Sequence, residues 1–232
     1  CSTPRSPLPL RLFIVRIILF LSSFFITPVQ TSSHFLFCPH CGTKLVQAVP
    51  PGDMRTRSVC PACGFIHYIN PVPVCGTIPI WKDSVLLCRR AINPRKGYWT
   101  LPGGFLESGE ASSAGAVRET IEEAGIHVQL GPLFTVMDVP FADQIHLFYL
   151  ARMSSPEYKA GPESIDCSFF TEELIPWNEL AFETVTQTLR LFFQDRHASN
   201  FETHHLVFRD CWNLAPANDL PSSFFATGKS IL

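Results

Sequence analysis

Three glutamates, Glu119, Glu122 and Glu123, stand beside Arg118 in the stretch GFLESGEASSAGAVRETIEEAGI at 104–126. On a helix, at about 100° per residue, the acids fall within roughly 100° of one another. Glu119 and Glu123 are i, i+4 neighbours, and Arg118 reaches Glu122 by the same step. Three like charges so close repel unless something positive sits among them, and one arginine does not balance them. A hard divalent cation with oxygen ligands does, and Mg²⁺ or Mn²⁺ is the usual choice. On the other side of the helix, Ala114, Val117, Ile121 and Ala124 form an apolar stripe predicted to face the core. Leu101-Pro102-Gly103-Gly104 is a turn that brings unhindered backbone to the acids, Ser108 or a near neighbour is the expected cap, and Gly125 is the stop. A solvated face is the commoner fate of a glutamate cluster. Here the glycine turn, Glu110, Arg118 and the acids come at fixed offsets, which argues for a site.

A second constellation is made of thiols. Cys38-Pro39-His40-Cys41-Gly42 and Cys60-Pro61-Ala62-Cys63-Gly64 repeat C-P-x-C-G with 18 residues between the pairs. That spacing suits a tetrahedral zinc site with Cys38, Cys41, Cys60 and Cys63 as ligands, and the closed ligand set makes it structural. A redox CxxC is the rival, but two pairs with near-identical local sequence favour metal. Of the nine cysteines, Cys75 and Cys88 sit in apolar strand-like runs as small buried hydrophobes, and a disulfide-stapled secreted framework does not fit the pattern.

The elements that must position these groups follow from pattern. Residues 72–80 and 84–90 read as strands joined at Trp81-Lys82-Asp83, and 127–139, 144–151 and 164–170 read as further strands. Residues 182–197 carry a helical pattern with Val185, Leu189 and Phe192 on one side. Residues 1–33 are expected to be a targeting or signal-like segment, 34–69 a zinc ribbon and 70–197 the main domain. The polar stretch 198–232 is read as a poorly ordered tail. A net charge of −2, with only Lys44, Arg55 and Arg57 against Asp53 in the ribbon, gives no electrostatic footprint for nucleic acid or an anionic membrane. Basic residues flank an apolar core in the leader, which is shorter in its uncharged run than a bilayer span requires.

The 104–126 stretch resembles the Nudix box, G-x5-E-x7-R-E-U-x-E-E-x-G-U with U a bulky aliphatic residue. Gly104, Glu110, Arg118, Glu119, Glu122, Glu123, Gly125 and Ile126 match it, and Thr120 departs at the first U. The resemblance implies an α/β class fold, an α/β/α sandwich, and hydrolysis of a nucleoside diphosphate linked to another moiety. It implies metal held by Glu119 and Glu123, with the Gly103 carbonyl a further ligand, Glu122 a third ligand or an orienting group, and Glu110 an orienting partner. The general base of this family can lie outside the box, and Glu163 in the Gly161-Pro162-Glu163-Ser164 loop is the candidate. Arg89 and Arg90 are candidates for phosphate, Trp99 for stacking on a base, and Gly104 for close approach to substrate.

The ribbon, the segment at 81–102 and the box together are similar to plant plastid Nudix hydrolases acting on ADP-ribose and FAD. NADH-cleaving members of the family also carry a ribbon, but they show an S-Q-P-W-P-F-P run that the corresponding residues 135–144 lack. Pro140 resembles the ADP-ribose pattern. The resemblance implies a small-molecule nucleotide partner and a plastid address, with a cytoplasmic enzyme as the alternative where the leader is a gene-model artefact. No stable membrane association of the mature protein is expected, and a homodimer is compatible with the pattern. Other diphosphates (dinucleoside polyphosphates, coenzyme A derivatives) and a non-catalytic ADP-ribose sensor remain open alternatives.

Overall fold

The computed structural model describes residues 35–208 and the backbone of 214–216. The leader and most of the tail, with the readings made of them, lie outside the described residues.

The ribbon is a small three-stranded antiparallel sheet of β1 (Val46–Ala48), β2 (Arg57–Val59) and β3 (Ile66–His67). A sheet this small buries little, and its cluster is Cys38, Leu45 and Cys60 with Phe65 packed on them. Such a unit needs a staple, and the thiols are placed to supply one.

The main sheet starts with β4 (Val72–Trp81) and β5 (Ser84–Arg90), a hairpin turning tightly at Lys82 and Asp83, where Lys82 takes φ 52°. Two short strands follow, β6 (Trp99–Thr100) against β5 and β7 (Gly103–Phe105) against β4. Helix α1 covers Ser112–Ala124 and leads into β8 (Val128–Val139) and β9 (Gln144–Met153). Strand β10 (Ser164–Phe170), helix α2 (Glu183–Ala198), β11 (His204–Phe208) and β12 (Leu214–Pro216) follow in the described residues. The sheet order is β10-β5-β4-β9-β8-β11-β12, with β4–β9 and β8–β11 parallel and the other pairs antiparallel.

Both faces of this sheet are covered, so its strands are apolar on both sides. Along β5, Val85 and Leu87 join a cluster with Val185, Leu189 and Phe192 of α2, while Leu86 and Cys88 join Ala124 and Ile126 at the end of α1. Successive side chains of a strand point to opposite faces, so α1 and α2 lie on opposite sides, and the α/β/α sandwich expected from the sequence is the observed one.

Three sequence readings change here. The face that α1 buries is Gly115, Ala116, Thr120, Glu123 and Ala124, whereas Ala114 and Ile121 of the predicted stripe are exposed and Val117 is half-buried. Small residues win that face because α1 must come close to β4 and β7. Thr120, the departure from the box, is fully buried, and its hydroxyl stands 2.6 Å from that of buried Thr77 on β4 while donating to Ala116 O at 2.7 Å. The irregular tail also fails as a reading at β11, which pairs parallel to β8 and buries Phe208 against Met137 and Val139. Its alternation is masked in the sequence by His204 and His205, which bond to Asp195 and Asp138. The helix start differs in detail: Ala111 stands at the N-cap with no side-chain cap, so Ser108 does not serve, while Gly125 ends the helix in the left-handed conformation as expected.

Candidate active site

A cleft of about 960 Å³ runs between β7, the start of β9, α1 and the beginning of α2. Gly103, Gly104, Arg118, Glu119, Glu122, Glu123, Arg90 and Glu163 all line it.

Arg118 organises the acids. Its Nε and Nη2 donate to the two oxygens of Glu110 at 2.9 and 3.0 Å, a bidentate pair. Nη1 donates to Glu119 at 2.7 Å and to Glu122 at 3.1 Å, and Nη2 also reaches Phe105 O at 3.0 Å. Glu110 thus holds the Arg118 guanidinium, and Arg118 in turn holds the Glu110 carboxyl below the usual range. Glu119 and Glu123 are pushed the other way, chiefly by burial, and Glu123 reaches about 7. Glu123 is 7% exposed and accepts a hydrogen bond from the Gly103 amide at 3.1 Å. Glu122 is the exposed member of the set.

The backbone at β7 is close enough to the acids that side chains are excluded. A Cβ on Gly104 would meet the Glu119 carboxylate at 2.5 Å. The Glu163 loop is fastened to the other end of α1, with Lys159 and Gly161 amides donating to Ala124 O and Glu123 O at 2.8 and 2.9 Å. A Cβ on Gly161 would collide with the Glu122 carbonyl. That contact, and the bond from the Ala91 amide to Glu163 O at 2.8 Å, set Glu163 at the rim, where its charge raises the carboxyls of both Glu119 and Glu123.

Two candidates are not in the cleft. Arg89 turns outward, donating to Gly97 O at 2.8 Å, while Arg90 lines the cleft with its guanidinium 5.0 Å from the Phe182 ring centre. Consecutive strand residues cannot both enter one site. Trp99 is 9% exposed and packs edge-on against Phe170 in the core, so it offers no stacking face. The aromatic side chains lining the cleft are instead Phe105, Phe141, Phe148, Phe182 and Phe208, and a polar group, Gln144, His146 and Thr184, lines it with them. None of these was singled out by sequence. The one available signal was that a strand start rich in polar groups, Gln144 and His146, follows a turn.

Both metal sets pass a test of chemistry. The four thiols form a group with all ligand atoms within 4.8 Å of one another, the one such group among the described residues. Three of the Sγ–Sγ separations, Cys38–Cys63, Cys41–Cys60 and Cys41–Cys63, are 3.5 to 3.6 Å, close to the roughly 3.8 Å expected for four thiolates about 2.3 Å from zinc. Gly42 and Gly64, at φ 72° and 73°, close the two knuckles with amides donating to Cys38 O and Cys60 O at 2.9 and 3.0 Å. On α1 the donors are carboxylate oxygens, and the buried Glu123 carboxylate beside Glu119 makes no ion pair among the described residues. That is a set for a hard divalent ion.

A mixed sheet between two helices, a four-thiol ribbon before it and a carboxylate helix facing a glycine strand define an α/β/α sandwich with an N-terminal thiol ribbon. The family model described as the NUDIX domain matches residues 72–198, and the one described as Nudix N-terminal, a zinc ribbon, matches residues 36–69. The chain belongs to the Nudix hydrolase family. It is 32% identical over 120 residues to an ADP-ribose pyrophosphatase of Methanocaldococcus jannaschii, covering 50% of this chain and 70% of that one. It is 27% identical over 177 residues to the NAD-capped RNA hydrolase NudC of Photobacterium profundum, covering 72% and 65%. A crystal structure of a NUDIX hydrolase from Nitrosomonas europaea superposes with a TM-score of 0.73 at 38% identity, covering 75% of this chain and 99% of that one. The chain spans about half of the length of several further NudC relatives.

Proposed function

We propose that this protein hydrolyses the diphosphate bridge of ADP-ribose or FAD and releases AMP, using Mg²⁺ or Mn²⁺. The reading is carried by one observation: Glu119, Glu123, Glu163 and Arg90 line a single cleft beside a strand whose Gly104 leaves room for the Glu119 carboxylate. Glu119, Glu123 and Glu122, with the Gly103 carbonyl, would hold the cations. When bound, such ions polarise the phosphate and acidify the attacking water.

The chain's own groups do the rest. Arg118 fixes the carboxylate of Glu119 and is fixed in turn by Glu110. Arg90 supplies positive charge to the phosphates from the opposite wall. Glu163 takes a proton from the water as its oxygen bonds to one phosphorus, and the bridging P–O bond breaks, so that ADP-ribose and water give AMP and ribose 5-phosphate. Phosphoryl transfer of this kind depends on positioning and charge neutralisation more than on covalent help.

The similarity to NudC supports a second reading, in which the bridge belongs to NADH or to an NAD cap on RNA. Purified full chain incubated with Mg²⁺ or Mn²⁺ against ADP-ribose, FAD, NADH, coenzyme A and an NAD-capped oligoribonucleotide separates the two. The expected result is AMP from ADP-ribose or FAD, lost in Glu119→Gln and Glu123→Gln and reduced in Glu163→Gln. Full turnover in both of the first two variants would end the site assignment. ADP-ribose retained on dialysis with no AMP formed would make the protein a sensor. The plastid address and a homodimer are part of this proposal, to be read by localising a fluorescent fusion and by light scattering.

A further inference from the structure

The acids, Arg90 and Glu163 occupy one part of the cleft, and the reaction makes no use of the polar group elsewhere in it. Gln144 opens β9 and His146 stands two residues on, so both project from the same face. Gln144 Oε1 lies 2.9 Å from His146 Nε2, and His146 Nδ1 lies 3.1 Å from the hydroxyl of Thr184 in the first turn of α2. A carboxamide oxygen can only accept, so Nε2 carries the hydrogen. Burial pushes the His146 imidazole down to about 4, so the ring is neutral and Nδ1 is left to accept from Thr184. The orientation of the Gln144 amide is thereby fixed. Its N–H₂ group has no protein partner among the described residues, and the side chain lines the cleft.

The sheet register gives the scale. Gly76 of β4 pairs with Gly103 on one side and Phe148 on the other, and Val72 pairs with Gln144. Four strand residues at about 3.3 Å each put Gln144 about 13 Å along the sheet from Gly103. A nucleoside hung on a diphosphate at the acids extends over a similar span. Phe141, 48% exposed, and Phe182 offer flat apolar walls for its ring.

We propose that Thr184 and His146 lock the Gln144 amide as a hydrogen-bond donor to an acceptor atom on the edge of a heteroaromatic ring of the substrate. Gln144 is then a specificity-determining residue, and His146 and Thr184 are its positioning residues. This rests on the assignment of the cleft to a nucleoside diphosphate derivative. A hydrogen bond that serves only to tie β9 to α2 would leave ring recognition untouched, and the test turns on that difference.

Calorimetry on the full chain with AMP, FMN and nicotinamide mononucleotide, and with ribose 5-phosphate as a ring-free probe, involves no turnover. Gln144→Glu, which replaces the donor by an acceptor of the same size, and Thr184→Val, which removes the hydroxyl, are expected to weaken at least one ring-bearing ligand about tenfold. Ribose 5-phosphate binding stays as in the wild type, and Thr184→Ser retains wild-type affinity throughout. With the parent dinucleotide, KM rises about as much while kcat changes less than about twofold. Gln144→Met serves if the glutamate variant does not fold. Wild-type affinity for all three rings in both variants overturns the proposal. So does an equal loss of ribose 5-phosphate binding, or a wild type that binds no ring-bearing ligand. A wild type that releases AMP from no substrate defeats the hydrolase reading separately, while the calorimetry still decides the role of Gln144.

Discussion

Thr120→Val removes one hydroxyl from a dry site and tests how α1 is held on the sheet. The Thr120 hydrogen goes to Ala116 O at 2.7 Å, so the Thr77 hydroxyl, 2.6 Å away, donates to Thr120 Oγ1. Both residues are fully buried. Valine fills nearly the same volume, so the cost comes from the stranded Thr77 donor rather than from a cavity. A buried donor without a partner costs about 1 to 3 kcal/mol, and about 2 kcal/mol is expected here. That lowers the thermal midpoint by about 4 to 8 °C for a domain of this size. Thr77→Val leaves Thr120 with its bond to Ala116 and costs about 1 kcal/mol. The double variant strands nothing and lies within about 1 kcal/mol of the wild type. Urea unfolding of the four proteins, with zinc present and m-values compared, gives the cycle directly. The expected coupling is about 2 kcal/mol. Losses that simply add would show that the two hydroxyls do not bond in solution, and the account of α1 would fail with them.

Three further outcomes are expected. Purified protein carries one zinc per chain by elemental analysis, and Cys60→Ser loses both the metal and the protease resistance of residues 35–69; full zinc in that variant would remove Cys60 as a ligand. In buffer without added Mg²⁺ or Mn²⁺, the raised carboxyls of Glu123 (to about 7) and Glu119 give stability that is complete at acid pH and lost as the pH rises through about 7. The melting temperature therefore falls between about pH 5 and about pH 8, Mn²⁺ restores it, and Glu123→Gln flattens the profile; an unchanged slope in that variant refutes the assignment. Trp99→Ala costs about 3 to 5 kcal/mol of stability, because the ring is core, and Trp99→Phe keeps a wild-type KM. A KM change without loss of stability would return Trp99 to the substrate.

The local chemistry was legible from sequence because it is carried by short spacings. Arg118 and the glutamates it bonds lie on or just before one helix, and each cysteine pair sits in its own knuckle, so helix and knuckle geometry does the rest. The parts that sequence did not give depend on which strands meet. Gln144 and Thr184 are 40 residues apart and come together only because β9 pairs parallel to β4 beneath the start of α2. Apolar character does not mark the buried face of α1, because this helix buries Gly115, Ala116 and a bonded threonine to get near the sheet. Arg89 and Arg90 could have been separated without a structure, as neighbours on a strand face opposite ways. Trp99 could not, since a tryptophan before a glycine turn serves a core and a base equally well.

The catalytic body does not stop where its second helix does. Asp195, buried in α2, accepts from His204 Nε2 at 2.9 Å and from the Glu202 amide at 3.2 Å, and so steers β11 onto the edge of β8. Phe208 at its end is both a core residue and a wall of the cleft. A fragment trimmed to the recognised domain limit at 198 would keep every box residue and still lack this flank. The natural cutting point for expression lies beyond the last rung of that added strand.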